Sequence, residues 1–482
     1  METGLNDPAT APLCASRSRL MALLVAAAFF MENLDATVIV TALPDMARSF
    51  NANAIDLNIG ITAYVMTLAI FIPGSGWVAD RWGHRRVFMA ALAVFTFASV
   101  LCAASQELWQ FTAARVLQGI GGAMMVPVGR LAVLRNTEKS DLLTAIAFIT
   151  WPGLVAPVLG PPLGGLIATY ASWHWIFLLN LPLGLIALLC AYRLMPGGQL
   201  SSTPRPFDTR GFMLCALACV GLLFGLDYVG QAPRNWQGYL MLATSAILLW
   251  AMFRHLHQHP APLLRLDALK IRTYAVTFNG GSLFRAMVSA HPFLLPLMFQ
   301  LGFGYDAFTA GLLVLTLFAG NIGMKPMTTW VLRRYGFRTT LVGSSLVLTA
   351  TTFACALMTP ATSLAIILPV LLVSGMARSM GFTAYSSMAF ADMPTPLMAS
   401  ANTLFSMTQQ LAFGLGVALA VIFLRLSESL LAVEAESLAS YHLAFAMVGL
   451  LTLVSMFDLW KLPRDAGANV SGHLREPAGA SK

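Results

Sequence analysis

The sequence predicts an all-α membrane protein, on three observations: apolar blocks long enough to span a bilayer, scarce charge, and one-sided placement of the basic residues. Of 482 residues, 57% are hydrophobic and only 10% charged, with a mean hydropathy of +0.73. A soluble chain of this size carries about a quarter of its residues charged to cover its surface. The apolar residues fall instead into blocks of about 20, the length that crosses a ~30 Å hydrocarbon core as helix.

Blocks and their polar punctuation give fourteen spans, at 20–43, 57–78, 87–105, 108–129, 142–169, 173–192, 209–228, 238–254, 273–300, 307–330, 339–358, 363–384, 399–424 and 441–460. Loop charge tests the count. With a cytoplasmic N-terminus, the inner segments receive Arg81, Arg85 and Arg86, then Arg130, Arg135 and Lys139, then Arg193, Arg205 and Arg210. Later inner segments receive Arg254, Arg265, Lys270 and Arg272, then Arg333, Arg334 and Arg338, and last Lys461, Arg464, Arg475 and Lys482. The outer loops hold little more than Arg48, Arg234 and Arg425. This is the positive-inside pattern of a multi-pass inner-membrane protein with both termini in the cytoplasm, and it requires an even helix count. The net charge of +8 is thus an orientation signal and no nucleic-acid partner is expected. The first block follows Arg17 and Arg19 but carries Glu32 and Asp35 and lacks a cleavage pattern, so it reads as a retained helix rather than a signal peptide. The six cysteines (Cys14, Cys102, Cys190, Cys215, Cys219 and Cys355) form no CxxC pair and read as small buried apolar groups.

An internal repeat organises the chain. The segment Gly76-Trp77-Val78-Ala79-Asp80-Arg81-Trp82-Gly83-His84-Arg85 follows the second span, and Thr329-Trp330-Val331-Leu332-Arg333-Arg334-Tyr335-Gly336-Phe337-Arg338 follows the tenth. With the pair at 205–258 set aside as an insertion, two six-helix bundles remain, at 1–204 and 259–462, followed by a polar tail at 463–482 expected to be disordered. Paired halves of this kind alternate access around a site near the midplane.

The loop segment Gly76-x-x-x-Asp80-Arg81-x-Gly83-x-Arg85-Arg86 resembles the signature of the major facilitator superfamily between its second and third helices. Gly76 allows close helix approach, Gly83 a tight turn, and the arginines an anchor at an anionic leaflet. The resemblance makes Asp80, beside a neighbouring helix N-terminus, a latch for the outward-facing state. Leu34-Asp35-x-Thr37 with Ala42-Leu43-Pro44 resembles the first-helix motif of that superfamily's fourteen-helix drug:proton antiporter family. Arg115-x-x-Gln118-Gly119-x-Gly121 is similar to its fourth-helix motif, and Trp173-His174-Trp175-Ile176-Phe177-x-x-Asn180-x-Pro182-x-Gly184 to the start of its sixth. Pro157, Gly160, Pro161, Gly164 and Gly165 resemble its fifth-helix antiporter motif, which implies a seal between the halves; by themselves they are a close-packing, bent stretch. The run Gly121 to Arg130 is similar to a branch with an assigned role in multidrug export. Two departures stand out: Thr41 occupies a position that is Asn in the family, and Arg333 stands where the second loop copy would have Asp.

Charges within spans are costly and usually face a cavity or a partner. At ~1.5 Å per residue, Asp35 lies ~22 Å from the inner edge of its helix and Arg115 ~10 Å below the outer edge of its own. In a ~30 Å core those depths nearly coincide, so the two can pair, as a proton-coupling couple or a static ion pair. Glu32 shares the face of Asp35 and is either a second proton site or a hydrogen-bonded neutral carboxyl. Arg285 and Arg378 fall within the ninth and twelfth spans; they would hold an anionic substrate, or Arg285 would neutralise Glu32 across the halves. Asn279, Gln409, Gln410 and Phe284 are further candidates for a substrate cavity, with Phe405 and Met407 as soft apolar surface, and His291 is either a relay or kink packing.

The expected function is therefore proton-coupled export of drugs or small metabolites by alternating access, by a monomer in the lipid bilayer. Export of organic anions or metal-chelate carboxylates through Arg285 and Arg378 is the alternative. A membrane-embedded sensor or enzyme finds no support, for there is no HExxH, GxSxG or Walker loop. No cofactor and no metal site are expected.

Overall fold

The structure, a computed structural model, describes residues 15–51, 57–139, 141–197, 206–231, 236–433 and 437–472. It is helical throughout, with no strand among the described residues. In order come α1 (Ala15–Ser49), α2 (Asn58–Phe71), α3 (Ser75–Trp82), α4 (His84–Ala104), α5 (Leu108–Asn136), α6 (Leu142–Tyr170), α7 (His174–Leu178) and α8 (Asn180–Leu194). Then follow α9 (Thr209–Gln231) and α10 (Trp236–Gln258), and α11 (Arg272–Phe278) through α12 (Gly280–Leu297), α13 (Ala307–Gly323) and α14 (Lys325–Ala356). The chain ends with α15 (Leu364–Ala391), α16 (Met398–Leu431), α17 (Leu438–Val454) and α18 (Ala468–Ser471). Among the described residues, twelve helical runs are long and apolar enough to cross a membrane. Two shorter apolar stretches, Leu142–Trp151 and Phe308–Gly323, stand where the fifth and tenth spans were expected.

One end of the bundle collects the basic loops. There Arg17 Nε donates to the Leu194 carbonyl at 3.2 Å, Arg85 to the Tyr192 carbonyl at 2.6 Å, and the Arg265 amide to Ser400 Oγ at 2.8 Å. The repeat is visible in backbone and side chains alike. Gly83 and Gly336 both adopt positive φ, 83° and 73°, a conformation that only glycine enters without strain. Before each, an aromatic pair meets edge to face: Trp77 with Trp82 at 5.8 Å, and Trp330 with Tyr335 at 6.3 Å. Three helices that start from the far end, α13, α15 and α17, are capped by Asp306, Ser363 and Ser437, whose side chains accept from Thr309, Ala365 and Ser440 amides.

Buried apolar side chains divide in a telling way. Away from the basic end they form two separate clusters, one wholly within residues 34–177 and one wholly within 286–448. Towards the basic end a single cluster joins both halves, from Met21 and Phe88 to Phe337, Tyr385 and Leu404. The halves are thus fused at the basic end and have independent cores at the other. The α9–α10 hairpin lies along the seam: Phe212 meets Phe71 of α2 at 6.0 Å, Cys215 Sγ meets Met407 Sδ of α16 at 3.5 Å, and Leu223 lies beside Gly414.

Two expectations change. Arg130 was assigned to an inner loop, but α5 continues to Asn136 and buries it, because the stretch from Leu131 to Leu134 is apolar and extends the helix. The tail was expected to be disordered from 463; instead residues up to 472 are ordered, with Ala466 and Val470 buried and Gly467 against Phe337. Its apolar side chains fill a groove at the basic end.

Glycines set the closest helix approaches. A Cβ at Gly375 would overlap the Leu317 carbonyl oxygen, and one at Gly320 the Leu372 carbonyl oxygen, so α13 and α15 meet backbone to backbone. Gly375→Ala is expected to cost about 1–3 kcal/mol, the usual range for overpacking, and to lower the thermal midpoint of the detergent-solubilised chain. Gly343→Ala, where nothing lies within 4 Å of the added carbon, is expected to leave that midpoint unchanged or slightly raised.

Candidate functional site

The centre of the first half is a dry polar knot. Asp35 of α1 accepts from Arg115 Nη1 of α5 at 2.5 Å, from Gln118 Nε2 at 2.8 Å and from Asn180 Nδ2 of α8 at 2.8 Å. Both members of the ion pair have side chains with 0% exposure. Arg115 Nη1 also donates to Gln118 Oε1 at 2.6 Å, and Ser99 Oγ of α4 accepts from Gln118 at 2.9 Å and Asn180 at 3.2 Å. The Arg115 guanidinium lies over the Tyr64 ring of α2, 4.2 Å from its centroid. Five helices therefore converge on one carboxylate, and desolvation makes each of these contacts stronger than it would be in water. The sequence motifs that name Asp35, Arg115, Gln118 and Asn180 separately become one constellation here.

From this knot a string of charged and aromatic groups runs to the seam. Glu32 lies one helical turn from Asp35, its Oε2 buried with no hydrogen-bond partner, and Gly122 leaves room for it beside the Tyr64 hydroxyl. Glu32 is within electrostatic range of Arg130. The Arg130 guanidinium sits over Phe405 of α16, 5.2 Å from its centroid, and Nη1 donates to Ser406 Oγ at 3.5 Å. Arg285 of α12 covers the same ring at 4.6 Å, and Phe382 at 5.7 Å. Phe405 thus lies between one guanidinium from each half. Among the described residues Arg285 has no ion-pair partner, and its Nε and Nη2 are buried without hydrogen-bond partners. Neutralisation of Glu32 by Arg285, one of the two roles open to it in sequence, is not found: Arg285 forms no ion pair among the described residues, and Arg130 is the cation whose charge acts on Glu32.

Lys325 was missed in sequence, although it falls inside the apolar block read as the tenth span. It is buried at the start of α14 and donates to Thr150 Oγ1 of α6 at 3.3 Å and Thr383 Oγ1 of α15 at 2.6 Å, a clasp across the halves. Its signal was its place five residues before Trp330, well inside the apolar block. Arg378 lies over Phe318 at 5.6 Å with Nε and Nη1 unpartnered. Gln409 is buried on α16 and Gln410 half-buried beside it. Asn279 is exposed at the break between α11 and α12, and Phe284 is packed in the core against Tyr385 and Gly381, so neither joins the string. His291 is held in packing by Thr352 Oγ1 at 2.8 Å and the Met287 carbonyl at 3.0 Å.

The loop signature divides its labour. Gly76 touches α16, where an added Cβ would overlap Thr403 Oγ1, and Asn402 Nδ2 donates to the Pro127 carbonyl at 2.8 Å. Asp80 pairs with Arg135 of its own half at 2.9 Å, and Arg85 covers Tyr192 at 5.0 Å, while Arg81 and Arg86 are exposed. Gly160 packs against Thr37 of α1, a contact inside the first half, and Gly164 is buried; the side chains of Thr41, Pro157 and Pro161, and Gly165, lie outside the described residues.

The description "Major Facilitator Superfamily" belongs to the family whose profile matches residues 25–417. The chain belongs to that superfamily. A relative from Pectobacterium atrosepticum named "Putative multidrug resistance protein MdtD" is 38% identical over 443 residues, covering 91% of this chain and 93% of that protein. Namesakes from Klebsiella pneumoniae and Escherichia coli are 36% and 35% identical, over 95% and 93% of this chain and 97% and 95% of theirs. The chain falls in this MdtD-like branch and is a transporter, not an enzyme. Two solved superfamily structures share its fold. The human organic anion transporter MFSD10 has a TM-score of 0.62 at 17% identity, covering 92% of this chain and 98% of its own. The proton:xylose symporter XylE has a TM-score of 0.64 at 15% identity, covering 96% and 100%.

Removing one partner of a buried pair strands a charge and typically costs about 3–5 kcal/mol. Arg115→Met is therefore expected to destabilise this superfamily member severely in thermal unfolding, and the double variant Asp35→Asn with Arg115→Met to regain much of the loss.

Proposed function

We infer that the chain is a proton-coupled exporter that moves drugs or small metabolites across a bacterial inner membrane by alternating access. In this reading all fourteen helices cross the bilayer, as two six-helix bundles at 1–204 and 259–462 with an inserted pair at 205–258. The basic end faces the cytoplasm with both termini, and the monomer is the working unit. Fusion of the cores at the basic end, and their separation at the other, then correspond to an outward-facing conformer.

The observation that carries the reading is the string from Asp35 and Arg115 through Tyr64, Glu32 and Arg130 to Phe405 and Arg285. A proton arriving at the carboxylates weakens their hold on Arg115 and Arg130. Arg130 is in turn one of the groups that ties the halves together at Phe405 and Ser406, so protonation biases the equilibrium between closed and open forms at that end. Coupling needs only that the proton and the substrate favour different states. The sealed environment of Asp35 means that it exchanges its proton only when the halves move.

A second reading has its own observation. Arg285 and Lys325 are buried cations of the second half and Arg378 is a half-buried one with Nε and Nη1 buried, and among the described residues none forms an ion pair. Uncompensated cations in a low-dielectric seam favour an anion there, so an organic anion or a metal-chelate carboxylate is the substrate class this reading requires.

Both are tested in proteoliposomes with an imposed pH gradient, using ethidium as the cationic probe and fluorescein as the anionic one. Substrate-dependent proton release is expected, and Asp35→Asn is expected to lose uphill transport while the protein stays monodisperse. Uphill pumping by that variant at the unmodified rate overturns proton coupling. Arg285→Ala is expected to abolish fluorescein transport under the second reading; anion export at the normal rate removes it.

A further inference from the structure

At the basic end, outside the string, three potential ligands meet where the inserted hairpin is tied at both ends. Asp208 immediately precedes α9 and is buried. Its Oδ1 accepts from the Gly211 amide at 2.8 Å and faces His255 Nε2 at 2.8 Å; its Oδ2 accepts from the Leu263 amide at 3.1 Å. His255 and His259 are one turn apart at the end of α10, where the His259 amide continues the helical ladder to the His255 carbonyl at 2.9 Å. Their ring centroids are 4.9 Å apart, and His259 Nδ1 accepts from the Ala261 amide at 3.2 Å. One ligand atom from each of Asp208, His255 and His259 lies within 4.8 Å of the others.

We propose that Asp208, His255 and His259 form a site for one divalent transition-metal ion of the zinc type, which clamps the two ends of the α9–α10 hairpin to the segment leading into the second half. Two histidines at i and i+4 present their rings on one face, the spacing by which helices offer paired imidazoles to zinc. Metal–ligand bonds of about 2.0–2.1 Å at a tetrahedral angle place ligand atoms about 3.3 Å apart, so Asp208 Oδ1 and His255 Nε2, now 2.8 Å apart, open slightly as the three atoms, all within 4.8 Å, surround one ion. The carboxylate is already aimed by two backbone amides, which is the outer-shell support such ligands need. Imidazole nitrogen selects zinc, nickel or copper over magnesium or calcium. The neighbouring Arg210 and Arg254 are exposed, and solvent screens their charge from the site. Water completes the coordination. The site is independent of the transport reading.

The test is zinc binding to the full chain in detergent, purified without a polyhistidine tag and followed by elemental analysis and thermal unfolding, with magnesium as control. One zinc per chain and a raised midpoint are expected, with no response to magnesium. His259→Gln leaves the Asp208–His255 contact in place and is expected to weaken zinc binding at least about tenfold, as is Asp208→Asn. Failure to retain zinc at one equivalent, or zinc affinity unchanged in His259→Gln, overturns the site.

Discussion

A single ion pair, Asp35 with Arg115, sets the terms for the first half of this molecule. Two opposite charges with no solvent contact need further partners to offset their desolvation: Gln118 and Asn180 hold the Asp35 carboxylate, Ser99 accepts from both of their amides, and the Tyr64 face covers Arg115, whose Nε and Nη2 have no hydrogen-bond partner. The pair and these partners come from five helices, so the geometry of the pair and the packing of the bundle are one problem. The consequence for energetics is asymmetric: the pair contributes modestly to stability while intact, but a stranded charge is costly. That asymmetry suits a group whose occupancy is meant to change with conformation rather than one that merely holds helices together.

Among the described residues the second half has no equivalent knot. Its cations, the buried Arg285 and Lys325 and the half-buried Arg378, rest on aromatic faces or hydroxyls instead of carboxylates. Aromatic quadrupoles and hydroxyl dipoles compensate a cation only in part, which leaves positive potential where the halves meet. The repeat shows the same asymmetry on a smaller scale. Gly83 and Gly336 make the same turn and the aromatic pairs before them match, yet Asp80 has Arg333 as its counterpart, so only the first copy braces its loop with an acid–base pair. One half therefore holds a buried acid–base pair, while the other leaves its cations on neutral partners.

Much of the architecture was legible because membrane helices announce themselves by length and apolarity, and because basic loops mark one side. The depth estimate that placed Asp35 and Arg115 at one level needed only helical rise, and the structure brings the two together. Other features were hidden for physical reasons. Arg130 lies next to a charged loop in sequence, and only the apolar stretch after it shows that the helix continues and buries it. Lys325 falls within an apolar block, but its significance depends on Thr150, a residue 175 positions away on the other half. Phe284 has the composition of a cavity wall, whereas contact with Gly381 makes it part of the core. The ordered stretch to residue 472 reads as polar because its buried apolar side chains, Ala466 and Val470, are few and small.

Apart from the polar tie between Asp208 and the Leu263 amide, the α9–α10 hairpin touches both halves through apolar contacts. Phe212 on Phe71, Cys215 on Met407 and Leu223 on Gly414 involve rings, sulfur and hydrocarbon, none of which has a preferred direction in the way an amide bond does. The hairpin therefore covers one flank of the seam through contacts that impose little direction on how the two bundles pack against it.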